Sequence, residues 1–74
     1  MSITVKKINE AYYEASATPP NVREAWSTTE PLRLDPICRE LFARGAHQTD
    51  IGDAINEADR DWFKKQIDEA RQRV

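Results

Sequence analysis

Between Asp35 and Gly45 the apolar residues Ile37, Cys38, Leu41 and Phe42 span an arc of about 140° at 100° per residue. Asp35 is a strong N-cap type, Pro36 suits a first helical position and Gly45 suits the residue past a helix end, so the pattern predicts a helix over 36–44. Thr49 is placed to cap a second helix with Ile51, Ala54, Ile55 and Ala58 on one side. Phe63, Ile67, Ala70 and Val74 then fall within roughly 60° of arc, a narrow packing stripe. Asp59 either caps that last helix or bends a continuous one.

Upstream, Val5, Ile8, Tyr12 and Ala15 follow the capping residue Thr4 at spacings of three and four, which predicts a first helix. The β-branched run Ile3, Thr4 and Val5 supports a competing reading as a short strand. Pro19 and Pro20 forbid helix through them. Asn21 is then placed to cap a short helix carrying Val22, Ala25 and Trp26, closed by turn-forming residues 27–31. The expected fold is all-α: one domain over residues 1–74, a small bundle of four to five short helices.

Composition narrows the picture. Of 74 residues, 39% are hydrophobic, yet Leu, Ile, Val and Phe number only fourteen, near the level where ordered folding becomes marginal. A chain of this size hides about 60% of its unfolded surface. One Cys makes no internal disulfide, and no zinc spacing accompanies it. No apolar run approaches the roughly 20 residues of a membrane span, and no signal-peptide core is visible, so a cytoplasmic protein is expected.

Charge is nearly balanced overall, with 11 basic and 13 acidic residues, but it is not evenly spread. Residues 1–34 are neutral, 35–59 hold Arg39 and Arg44 against six acids, and 60–74 are mildly basic. A nucleic-acid grip would call for a basic footprint over the contact surface. No Lys or Arg occurs from His47 to Asp59.

The stretch Gly45 to Ile55, GAHQTDIGDAI, resembles the turn and second helix of the helix-turn-helix superfamily. Gly45 takes the place of the turn glycine and Ala46 that of the small residue after it. His47, Gln48 and Thr49 open the recognition helix, and Ile51 anchors it; Leu41 stands where the family usually has Ala. The resemblance covers about residues 36–58 and implies a DNA-binding regulator reading DNA through His47, Gln48, Thr49 and Asn56. Against that, Asp50, Asp53 and Glu57 share roughly 60° of one helical side, where they repel phosphate. Gly52 costs about 1 kcal/mol relative to Ala inside a helix, which suggests close approach of a neighbouring helix.

Catalysis has little to stand on. His47 and Cys38 are the only residues of their kinds, the chain has two glycines, and no phosphate loop or calcium loop is present. No catalytic residue, metal ligand or cofactor is expected. The reading that follows is a small non-enzymatic module, of inhibitor, immunity or accessory type such as phage and mobile elements carry. It would bind another protein with a basic surface through Asp50, Asp53, Glu57 and the aromatic Trp62. A helix-turn-helix DNA-binding regulator is the alternative, and an acidic protein imitating nucleic acid is a further one. Arg60, Lys64 and Arg71 make a basic line beside Ile67 that also suits a homodimer contact.

Overall fold

The computed structural model describes residues 2–72 and is an α+β arrangement, which corrects the all-α expectation. Its elements are β1 (Ile3–Lys7), β2 (Tyr13–Ala17), β3 (Trp26–Ser27), α1 (Leu34–Ala43) and α2 (Gln48–Gln72). The strands form an antiparallel sheet in the order β1-β2-β3. Ile3 faces Ala17 and Lys7 faces Tyr13 across the hairpin, while Ala17 faces Trp26 on the far side.

The hairpin replaces the first predicted helix. Tyr13, Ala15 and Ala17 are buried and alternate with Glu14 and Ser16, a period of two. Ile3, Val5 and Lys7 repeat the alternation on β1. The connection is held by Asn9, whose Oδ1 accepts hydrogen bonds from the Ala11 and Tyr12 backbone N–H groups at 2.9 and 3.0 Å. That is an Asx-type turn, a conformation with which a helix through residues 5–15 competes directly. The strand alternative for Ile3 to Val5 is therefore the one realised.

The short helix expected after Asn21 is also absent. Val22 is buried within a loop that follows a cis Pro19–Pro20 bond, and Trp26 enters β3 instead. Thr28 extends this edge: its Oγ1 accepts from the Ala15 N–H at 3.1 Å, and its own N–H donates to the Ala15 carbonyl.

Helix α1 appears where the pattern places it, with its start two residues earlier than expected. Arg33 is the N-cap residue and makes no side-chain cap, while Asp35 lies in the first turn, where its charge favours the helix dipole. The C-terminus follows a Schellman pattern: the Gly45 N–H donates to the Phe42 carbonyl and the Ala46 N–H to that of Leu41, both at 3.0 Å. Gly45 has φ +99, which explains a glycine there.

Of the alternatives at Asp59, a separate last helix or one continuous helix, the continuous helix is realised. Helix α2 runs 25 residues through Asp59 without a break and starts at Gln48, so Thr49 lies in its first turn. Ile51, Ala54 and Ala58 are its buried residues. The two alanines let the helix lie close to the sheet. Ile3, Tyr13, Ala15, Ala17, Ile37 and Leu41 complete the core with them.

Three packing expectations fail. Phe42 is 66% exposed and Phe63 65%, with Ile67 at 43%, so neither Phe42 nor the Phe63 stripe belongs to the core. Val74 lies outside the described residues. Nothing comes within 4 Å of a Cβ built on Gly52, so no neighbouring helix requires that glycine. Among the described residues no helix is long and apolar enough to cross a membrane.

Leu41 is fully buried. Leu41→Ala should cost about 2–5 kcal/mol in urea unfolding, because the cavity collapses only in part. Phe42→Ala should change stability by less than about 0.5 kcal/mol. Equal losses for the two variants would contradict this packing.

Candidate functional site

Each side of α2 has a different neighbour. The side carrying Ile51, Ala54, Ala58 and Trp62 faces β1. Trp62 is half-buried, 5.2 Å from ring centroid to the Lys7 Nζ, in a groove between the end of β1 and the helix. Beside it lies a polar cluster. The Tyr13 hydroxyl donates to Asp59 Oδ1 at 2.7 Å and accepts from Lys7 Nζ at 2.8 Å. Lys7 Nζ also stands 3.9 Å from Asp59 and 4.4 Å from the Tyr13 ring centroid. Trp62 and Asp59 thus clamp the hairpin onto α2.

The acids expected at a contact surface point elsewhere. Asp53 and Glu57 are exposed and Asp50 is half-buried, on a side of the helix about 140° round from Trp62. Asp50, Asp53 and Glu57 do share a face; Trp62 does not join them. The residues of the DNA-reading alternative are all exposed, but not on one face. His47 precedes the helix and Gln48 turns toward α1, where it lines a shallow groove with Cys38, Phe42 and Ile55. Thr49 and Asn56 lie within about 20° of each other on the outer side.

The outer side holds what the sequence reading placed in the core. Phe63 and Ile67 line a surface groove of about 680 Å³ with Asp59, Arg60, Lys64 and Arg71. From Phe63 to Gln72 every residue is exposed. The signal was available as the Phe63–Ile67 spacing; among the described residues no element packs over that side of the helix.

Chemistry is sparse. Cys38 is a free, half-buried thiol. Burial pushes its pKa up, and the Asp35 carboxylate adds to the effect. A raised thiol pKa means less thiolate at a given pH, the opposite of an activated nucleophile. Among the described residues, no three His, Cys, Asp or Glu side chains gather as metal ligands. Searches of protein-family models, curated proteins and solved structures find no match to the chain.

Two outcomes follow. Tyr13→Phe should lower stability by about 1–3 kcal/mol in urea unfolding, since it strips a hydrogen bond from the carboxylate and from the ammonium. Unchanged stability would show that the clamp contributes nothing. Cys38 should react with a thiol reagent at pH 8 more slowly in the folded protein than in urea; equal rates would contradict its environment.

Proposed function

We propose that this chain is a non-enzymatic protein-binding module whose docking surface is the outer face of α2. The observation that carries the reading is the exposure of Phe63 and Ile67, side by side on a helix end that neither the sheet nor α1 covers. Exposed aromatic and aliphatic side chains in a rim of charge are the usual anatomy of an anchor site. Asp53 and Glu57 lie on the neighbouring flank toward the N-terminus, with Arg60, Lys64 and Arg71 toward the C-terminus. The acidic residues favour a partner with basic charge, and the apolar line supplies the anchor in place of Trp62. A reducing, cytoplasmic setting suits the lone thiol.

The DNA-binding alternative draws on one feature, the four-residue turn between the helices with Gly45 at positive φ and Ala46 buried beneath it. Its weakness is electrostatic. Thr49 and Asn56 share the outer side with Asp53, and phosphate contacts need cations that residues 47–59 lack.

The test pairs two assays on the full chain. Affinity capture from host lysate should recover a protein partner with wild type, and the double variant Phe63→Ser, Ile67→Ser should lose it by about tenfold or more. Circular dichroism should show the variant's fold intact. Specific DNA binding at near-physiological salt, abolished by Gln48→Ala with Asn56→Ala, would replace this reading with the alternative.

A further inference from the structure

We infer that the partner of this face is a second copy of the same chain, bound antiparallel along the C-terminal half of α2. The inference rests on the reading of that face as a docking surface and adds what occupies it. Phe63 of each copy packs on Ile67 of the other, and Glu57 of each meets Arg71 of the other.

Charge order along the helix is the first argument. Within residues 57–72 the flank beside Phe63 and Ile67 carries Glu57, Arg60, Lys64, Asp68 and Arg71. Reversed about residue 64, Glu57 meets Arg71 and Arg60 meets Asp68, while Lys64 meets its own copy at the axis, so opposite charges outnumber the one like pair. A parallel pair would set Glu57 on Glu57 and Arg71 on Arg71, which like charge disfavours. Among the described residues Glu57, Lys64 and Arg71 make no ion pair within the chain, so these charges remain available to a second copy.

Register is the second argument. An antiparallel two-fold axis requires paired residues to share one midpoint. Phe63 with Ile67 centres at about residue 65 and Glu57 with Arg71 at about residue 64, so one axis serves both pairs. The overlap then covers residues 57–72, about 24 Å of helix. The groove against α1 lies at Gln48 to Ile55, outside the overlap, so the two bodies stand at opposite ends without collision.

Support is the third. The ten exposed residues from Phe63 to Gln72 continue the packed half of α2 with no buried residue of their own, so little tertiary packing holds them. A second helix alongside shields Phe63 and Ile67 and steadies that extension. Two short helices bury less than the roughly 1,200 Å² of a standard interface, so the dimer is weak and concentration-dependent.

Sedimentation equilibrium of the full chain from about 1 µM to 1 mM should move from monomer toward dimer. Glu57→Arg and Arg71→Glu should each raise the dissociation constant about tenfold, because each sets like charges together twice. An equimolar mixture of the two variants should recover wild-type affinity, since both cross-pairs become opposite in charge. Wild type alone should dissociate more at high salt. A chain that stays monomeric at 1 mM overturns the inference, as does a dimer whose variants fail to rescue each other or one that tightens with salt. A monomer that still captures a different protein through Phe63 and Ile67 would sink the second copy while leaving the docking face standing. Loss of both would sink the two together.

Discussion

Tyr13 ties three parts of this small fold together. Its backbone exchanges hydrogen bonds with Leu32, 2.7 Å in one direction and 2.9 Å in the other, which fixes the segment leading into α1 against β2. Across the hairpin it pairs with Lys7. Its ring is almost fully buried while its hydroxyl reaches Asp59 on α2. A phenol suits this position because one end satisfies the core and the other a carboxylate. Without that bridge, the hairpin and α2 would hold together through Ile3, Val5, the small faces of Ala54 and Ala58, and the approach of Lys7 to Asp59 and Trp62.

Small faces carry a consequence. Alanine lets α2 approach the sheet closely, yet it buries little apolar area per residue. The strands are five residues long, while α2 has 25. At 1.5 Å per residue the helix is about 37 Å long, more than twice the roughly 17 Å of a strand. It must therefore outrun the body, consistent with a longest extent of 47 Å against 21 and 16 Å. Larger residues at 54 and 58 would thicken the core without covering Phe63, because that residue lies on the other side of the helix.

What could be read from the sequence follows the locality of each signal. Helix α1 and its turn were legible because Gly45 and the apolar arc from Ile37 to Leu41 act within a few residues. The hairpin was not, because Val5 and Ala15 belong to two patterns at once. With Ile8 and Tyr12 they fit a helix; with Ile3, Tyr13 and Ala17 they fit two strands. Asn9 decides between them, and its effect is a turn three residues long that hydrophobic spacing does not register. Asp59 looked like a helix boundary because Asp favours caps, but its partner is Tyr13, 46 positions away. The acidic face of Asp50, Asp53 and Glu57 was legible from helical spacing alone; the separation of Trp62 from it was not, since it follows only when the helix continues through Asp59.

The Phe63 stripe carries the same ambiguity in a more useful form. Spacing tells which residues share a side of a helix, and it says nothing about whether the cover comes from the same chain. Among the described residues Ile3, Ile37, Leu41 and Ile51 are committed to the core and Trp26 and Leu32 pack against it, while Ile8 and Tyr12 are exposed around the hairpin turn. Phe42 and Ile55 line the groove against α1, at the opposite end of α2 from Ile67. A stripe with no cover among the described residues is a demand that the fold leaves to something else. The flanking charges restrict what can answer, because a partner helix must present base opposite Glu57 and acid opposite Arg71 while offering apolar atoms to Phe63. The same helix turned end for end meets all three conditions with residues already present.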